Sequence, residues 1–151
     1  MSEQGRALGL DVGDVRVGVA VSDERGSIAS PVETIRRGPD TVAAVCRMVE
    51  SLGAVRVVVG LPTGLSGREG PQAASVRAFA AELADALGPE APVVFWDERL
   101  SSAIAEQSLA ATGHRRRARR EKIDAVAATV ILQGWLDAQR HRRRRRGESE
   151  S

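Results

Sequence analysis

Acidic side chains stand beside apolar segments at three widely separated points of the chain. Asp11 lies within the apolar run 8–13, the pair Asp97 and Glu98 follows the apolar run that ends at Trp96, and Asp124 begins the apolar stripe of a helical pattern. An ionised carboxylate is costly in such a setting unless it is paired, hydrogen-bonded or bound to a cation. We therefore expect acids from these three places to form one cation site in the folded chain.

The ligand chemistry of these acids favours a hard divalent cation. Carboxylate oxygens suit Mg²⁺ or Mn²⁺ better than zinc, and the sequence has no cluster of His or Cys residues, since Cys46 is its only cysteine. One or two such ions can activate a water molecule and stabilise the leaving oxygen in phosphodiester cleavage. The acids thus indicate metal-dependent phosphodiester chemistry.

Each acid also has a structural interpretation. Asp124 falls in the first turn of its predicted helix, where a negative charge favours the helix dipole, although the dipole does not explain its place on the apolar face. Asp97 or Glu98 could cap the helix that follows or pair with Arg99. Because side chains alternate along a strand, we expect only one of these two acids to join the site.

Arginine clusters and a glycine-rich loop are candidate contacts for a polyanion. Residues 111–151 carry 12 Lys or Arg against five Asp or Glu, and most of the basic residues lie in the runs 115–120 and 142–146. Solvated basic segments are the alternative. The loop 60–67 could present backbone N–H groups to a phosphate, or could be a plain strand-to-helix connection, since it lacks the lysine and the spacing of a P-loop. The residues predicted to contact nucleic acid are Gly60, Thr63, Arg99, Arg115, Arg116, Arg117, Arg119 and Arg120.

The length of 151 residues suits a single domain. We expect this domain to span residues 1–139 and the arginine-rich segment 140–151 to be a disordered tail. No apolar run reaches the roughly 20 residues that cross a bilayer, and the short polar N-terminus lacks a signal-peptide pattern. These features predict a cytoplasmic protein.

Hydrophobic periodicity predicts an α/β fold with the order βββαβαβαα. Short connections join the first three strands, which favours antiparallel neighbours, and Pro31 places the third strand at a sheet edge. Later βα units place helices on both faces of a mixed sheet. The predicted strands are 6–12, 15–22, 27–35, 55–59 and 92–96, and the predicted helices are 40–52, 71–87, 101–111 and 121–139.

Five motifs in order resemble a bacterial family described as Holliday-junction resolvases and now regarded as nucleases of the 5′ end of precursor 16S ribosomal RNA. The family belongs to the RNase H-like superfamily. The resemblance covers residues 6 to about 138, and the five motifs together are specific although each alone is weak. The motifs are the segments 9–13, 18–23, 59–62, 97–101 and 124–128.

The resemblance implies an RNase H-like α/β fold, with a five-stranded mixed sheet of order 3-2-1-4-5 flanked by helices on both faces. It implies a nuclease dependent on Mg²⁺ or Mn²⁺, with Asp11, Glu98 and Asp124 as catalytic residues and metal ligands. The run 115–120 matches a basic loop before the last helix. Many RNase H-like resolvases take an acid from the fourth strand; here the segment 57–60 has none, so Glu98 serves instead.

Three classes of function follow from this interpretation. The first is a nuclease acting on precursor rRNA, or on branched DNA as a junction resolvase, working as a monomer or homodimer. The second is a phosphate-handling protein of the actin type, whose fold begins with a similar Asp-x-Gly hairpin but needs a second domain for which this chain is too short. The third is a nucleic-acid-binding factor without catalysis, which the set of three acids argues against.

Overall fold

The computed structural model describes residues 5–63, 68–98 and 116–145, with the backbone alone for residues 116–124. Eight helices and strands lie in these ranges, and the last is a 30-residue helix. In chain order they are β1 (Arg6–Val12), β2 (Arg16–Ser22), β3 (Ala29–Arg36), α1 (Thr41–Leu52), β4 (Ala54–Leu61), α2 (Pro71–Leu87), β5 (Val93–Asp97) and α3 (Arg116–Arg145).

The five strands form one mixed sheet in the order β3-β2-β1-β4-β5, which confirms the predicted topology. β1 pairs antiparallel with β2, and β2 pairs antiparallel with β3, as their short connections require. β4 lies parallel to both β1 and β5. Pro31 is in the edge strand β3, close to a register shift in the pairing of β2 with β3, where a missing backbone N–H is tolerated.

Alternating side chains of the strands supply two separate apolar layers. On one face, Leu8 and Leu10 of β1 belong to a core that includes side chains of α1 and α2. On the other face, Ala7 of β1 and Ala20 of β2 pack with Ile131 and Leu132 of α3. Helices therefore cover both faces of the sheet, as predicted, and Asp11 shares the α3 face with Ala7 because the two residues are four apart.

Helix α3 lies unusually close to β1. A Cβ atom placed on Gly9 would lie 2.7 Å from Cβ of Leu132 and 3.1 Å from the carbonyl oxygen of Ala128. Further along the helix, the side-chain amide of Gln133 bonds to the backbone of Ser27 and Ala29, beyond the start of β1. The helix thus runs antiparallel to β1, and its N-terminal end lies toward the C-terminal end of β1, where Asp11 is.

The limits of α3 differ from the prediction of residues 121–139. The helix begins at Arg116, so most of the arginine run 115–120 is helical rather than a loop, and it continues to Arg145. Arginine is a good helix former, and basic residues in the last turn favour the helix dipole, so the low-complexity segment 140–145 continues the helix. The first six residues of the predicted disordered tail are therefore helical, and the proposed domain limits stay a prediction.

Some predicted features lie outside the described residues: the helix 101–111, Arg99, Arg115 and residues 146–151. Among the residues that are described, no helix is both long and apolar enough to cross a membrane.

Candidate active site

Asp11 lies near the C-terminal end of β1, at the centre of the sheet. Its partner across the antiparallel pair is Gly18 of β2, and on the parallel side Leu10 is paired with Val59 of β4. The side chain is partly buried on the face that α3 covers. Asp11 therefore lies between the apolar layer that α3 forms over the sheet and the C-terminal end of its own strand.

Glu98 follows β5 directly, and its side chain crosses β4 toward Asp11. Atoms Oε1 and Cγ of Glu98 lie 3.0 Å and 3.1 Å from the position that a Cβ on Gly60 would take. Gly60 is buried within β4, where it pairs with Trp96 of β5. The missing side chain at Gly60 leaves the space that Glu98 occupies, so the sequence brings the two acids together by means of a glycine between them.

The two carboxyl groups interact strongly. Burial, a hydrogen bond with Glu98 and the negative charge of Glu98 together raise the pKa of Asp11 from its ordinary 3.8 to about 8, and burial is the largest of the three causes. Asp11 therefore holds its proton at neutral pH in the metal-free protein. A divalent cation bound there would offset both the burial cost and the repulsion, since it favours the ionised form of Asp11.

Substitution of Gly60 should disturb this arrangement selectively. In Gly60→Ala the new methyl group would meet Glu98 and also the Cδ1 atom of Ile131 at 2.5 Å, so both side chains must move. We expect a loss of about 1–3 kcal/mol in the free energy of unfolding, measured by urea denaturation, together with a loss of activity.

Gly38→Ala is the matched control for this substitution. No atom lies within 4 Å of the Cβ position at Gly38, so the control should keep its stability and activity. Equal behaviour of the two variants would show that Gly60 does not set the position of Glu98.

Asp97 lies on the opposite face from Glu98. Its Oδ1 atom accepts a hydrogen bond of 3.0 Å from the hydroxyl of Thr63. The alternation of side chains at the end of β5 therefore separates the two neighbouring acids, one toward Asp11 and the other toward the loop after β4. Thr63, predicted to contact nucleic acid, is a partner of Asp97 in this structure.

The third predicted acid is placed only by its backbone. Asp124 lies in α3, one helical turn before Ala128, whose carbonyl faces Gly9, and its side chain lies outside the described residues. Among the described residues, no group of three His, Cys, Asp or Glu side chains is arranged to hold a metal ion. The described part of the site is thus the pair Asp11 and Glu98, and the metal role of all three acids stays a prediction.

Of the other residues predicted to contact nucleic acid, the structure describes Gly60 in full and several arginines by their backbone alone. Gly60 is a buried strand residue and not part of the loop, so its main structural effect is to accommodate Glu98. The backbone of Arg116, Arg117, Arg119 and Arg120 forms the start of α3, and their side chains, like Arg99 and Arg115, lie outside the described residues.

Arg37 is a site residue that the sequence reading missed. Its Nη1 donates a hydrogen bond of 2.9 Å to the carbonyl of Gly13, two residues after Asp11, and its Nη2 bonds at 3.4 Å to the carbonyl of Ser75 in α2. The guanidinium also lies 5.6 Å from the ring centre of Phe79. Arg37 therefore ties the turn after β1 to α2. An arginine at a strand end carried no signal of this role.

The chemistry of Asp11 and Glu98 fits a bound divalent cation. The carboxyl groups of Asp11 and Glu98 are hydrogen-bonded to each other, burial disfavours the charge of Asp11, and none of the three causes of the Asp11 pKa shift is a neighbouring basic group. Hard oxygen ligands are those that Mg²⁺ and Mn²⁺ prefer. The backbone of Asp124 belongs to the helix that packs over the same face, so Asp124 stays the predicted third acid of the site.

Comparison with solved structures supports the fold. The chain is similar to the structure described as "T. thermophilus RuvC in complex with Holliday junction substrate", with a TM-score of 0.57 and 17% identity, covering 89% of this chain and 95% of that one. It is also similar to the fowlpox virus Holliday junction resolvase, with a TM-score of 0.52 and 11% identity, covering 88% of this chain and 99% of that one. These likenesses indicate a shared RNase H-like fold.

Comparison of sequences identifies the family. A protein of Chloroflexus aggregans named "Putative pre-16S rRNA nuclease" is 47% identical over 143 residues, covering 93% of this chain and 99% of the relative. A protein of the same name from Mycobacterium sp. (strain KMS) is 47% identical over 140 residues, covering 91% and 82%. The sequence model described as "RuvX: Holliday junction resolvase" matches residues 5–138. The chain therefore belongs to the RuvX family.

Proposed function

We propose that this protein is a Mg²⁺- or Mn²⁺-dependent nuclease that trims the 5′ end of precursor 16S rRNA in the bacterial cytoplasm. The observation that carries the proposal is the contact between Asp11 and Glu98 beside Gly60, at the C-terminal ends of the central strands of an RNase H-like sheet. The name of the relatives that are 47% identical supports the RNA substrate. A cation bound at this position would be stabilised by the carboxylates of Asp11 and Glu98.

Asp11, Glu98 and Asp124 would hold the cation. A divalent cation bound there supplies Lewis acidity, which favours ionisation of a water molecule and offsets negative charge on the phosphate. The protein would contribute defined positions for the two acids, since Asp11 lies within a central strand and Glu98 lies against Gly60. Partial burial keeps bulk water from screening the charges in the site, so each electrostatic contact is stronger than in solution.

The basic residues would hold the substrate backbone. Arg99, Arg115 and the arginines at the start of α3 belong to segments that lead into or out of the site along the chain. Thr63, whose hydroxyl bonds to Asp97 at the end of β5, and the residues that follow it in the sequence would contact the same nucleic-acid strand. Phosphate contacts of this kind position a nucleic acid without reading its sequence.

The test is a cleavage assay on two substrates with one matched pair of variants. Wild-type protein with Mg²⁺ or Mn²⁺ should shorten the 5′ end of a precursor 16S rRNA fragment and should cut a four-way DNA junction much more slowly. Asp11→Asn should be inactive, whereas Asp85→Asn, an exposed acid of α2 on the opposite side of the sheet, should cleave like the wild type. Full cleavage by Asp11→Asn would refute the proposal.

Junction resolution is the second candidate because the matching family model is described as a Holliday junction resolvase. A resolvase must cut two strands, which usually requires a dimer with two active sites. Preferential, paired cleavage of the four-way junction, together with a dimer in sedimentation experiments, would favour this candidate over RNA trimming.

A further inference from the structure

Two arginines lie side by side on the sheet face that carries Asp11. Arg16 of β2 and Arg36 of β3 are direct partners in the antiparallel pairing of these strands. Val17 and Ile35, their chain neighbours, belong to the core under α1 and α2, so alternation turns both arginines to the opposite face, the face of Asp11. Gly18, the partner of Asp11 in β1, is only two residues from Arg16.

This register brings the pair close to the candidate active site. Adjacent strands lie about 4.8 Å apart and two residues along a strand span roughly 6.7 Å, so Arg16 is a diagonal neighbour of Asp11. Arg36 lies one strand further out, toward the edge of the sheet. An extended polyanion that runs across the strands from Asp11 in β1 toward β3 would pass Arg16 first and Arg36 second.

The pairing is unfavourable for the isolated protein. Like charges directly opposite each other on neighbouring strands are destabilising. Among the described side chains, the ion pairs include Arg77 with Glu69 and Arg140 with Asp137, and no described acid forms an ion pair with Arg16 or Arg36. Arg36 is exposed and Arg16 is partly exposed. A bound anion would remove the repulsion.

Arg37 differs from its two neighbours because its guanidinium is already engaged. It bonds to the carbonyl groups of Gly13 and Ser75, while its backbone N–H donates to the carbonyl of Val15 at 2.8 Å. The backbone N–H of Gly13 donates to the carbonyl of Arg16, also at 2.8 Å. These bonds link the turn after β1 to the end of β3, so hydrogen bonds hold the backbone on either side of Arg16 and Arg36.

We propose that Arg16 and Arg36 form a phosphate-binding subsite for the part of the nucleic-acid strand that flanks the reacting phosphate. The inference rests on the proposed nucleic-acid substrate but requires neither RNA in particular nor a metal ion. Arginine suits this role because its planar fork can donate two hydrogen bonds to one phosphate. The subsite extends the binding surface toward β3, on the side of Asp11 away from Glu98.

The test compares Arg16→Gln/Arg36→Gln with Arg25→Gln. Arg25 is an exposed arginine in the turn between β2 and β3, at the opposite end of the same strands, so it is a matched control for one lost charge. Binding of a precursor rRNA fragment and of a four-way junction is measured at several salt concentrations in the Asp11→Asn background, which prevents cleavage. Cleavage is then measured with Asp11 restored.

We expect the double variant to bind at least tenfold more weakly than its parent. The slope of log K against log salt should fall by about 1.4 for a single strand, because each lost phosphate contact removes roughly 0.7. In cleavage, KM should rise while kcat stays within a few fold. Arg25→Gln should change neither quantity. Thermal unfolding should show that the double variant is at least as stable as the wild type, because the repulsion between the two charges is gone.

Unchanged affinity and unchanged salt slope in the double variant would overturn the subsite, as would an equal loss in Arg25→Gln. If the double variant fails to fold, the exposed single variant Arg36→Gln should still reduce the slope by about 0.7, and an unchanged slope there overturns the proposal. Failure of the wild type to cleave either substrate, with the binding differences intact, would refute the nuclease function and leave the subsite standing.

Discussion

Replacing Asp11 with asparagine is expected to abolish cleavage and, at the same time, to stabilise the metal-free protein at pH 8. Activity should fall roughly a thousandfold or more, because a ligand of a catalytic cation is worth several kcal/mol of transition-state stabilisation. Stability should rise because burial and Glu98 oppose the charge of Asp11, and raise its pKa to about 8. Asparagine has a similar shape and carries no charge.

The gain in stability of Asp11→Asn over the wild type should grow as pH rises. Between about pH 4 and pH 8 the folded protein holds a proton on Asp11 that the unfolded chain releases, since the unfolded pKa is near 3.8 and the folded pKa is about 8. The folded state thus binds more protons, and the contribution of Asp11 to stability falls as pH rises through this window. Asp11→Asn should remove that fall, so its advantage over wild type should be small at pH 4 and largest at pH 8.

Thermal unfolding in the presence of a chelator measures the effect. Each kcal/mol of change in the free energy of unfolding should move the melting temperature by about 3 °C for a chain of this length. Asp85→Asn, whose acid is exposed on α2, should follow the wild-type curve at every pH. A melting temperature for Asp11→Asn that equals or falls below that of the wild type at pH 8 would contradict the assignment of Asp11 as a buried, opposed charge.

Much of the fold was predictable because its determinants are local. The short turns after β1 and β2 require antiparallel neighbours, Pro31 requires an edge, and the β-branched run of β4 requires burial on both faces. The limits of α3 were not predictable in this way. Arginine-rich segments are polar enough for a loop yet favourable within a helix, so their sequence alone does not distinguish the two.

The candidate site was predictable where a residue type conflicts with its surroundings. Asp11 conflicts with an apolar strand, and Glu98 with the end of another, so both acids could be identified. The glycine-rich pattern places Gly60 in a loop that could bind phosphate or simply connect a strand to a helix, although a glycine after a β-branched run also indicates a close approach, here that of Glu98. The pairing of Arg16 with Arg36 depends on strand register, which includes an irregularity in β2 and β3 that residue patterns do not reveal.

Addition of Mg²⁺ or Mn²⁺ to the metal-free protein is expected to raise its melting temperature. A cation at 100 times its dissociation constant stabilises the folded state by about 2.7 kcal/mol, which corresponds to roughly 5–10 °C here. The rise should shrink as pH falls from 8 to 5, because protons compete for Asp11 below its pKa of about 8.

Glu98→Gln should lose most of this stabilisation, since one of the two facing carboxylates is then neutral. Glu82→Gln, which neutralises an exposed acid of α2, should keep it in full. An equal response of the two variants to the cation would place the binding site elsewhere on the protein.

The most direct test of the account is the anomalous scattering of Mn²⁺ in crystals soaked at pH 8. We expect one or two peaks at bonding distance from carboxylate oxygens of both Asp11 and Glu98, on the face covered by α3, and no such peak in crystals of Asp11→Asn. Crystals of active protein that show Mn²⁺ only at other places, with these two carboxylates unliganded, would contradict the central claim that the acid pair is a cation site.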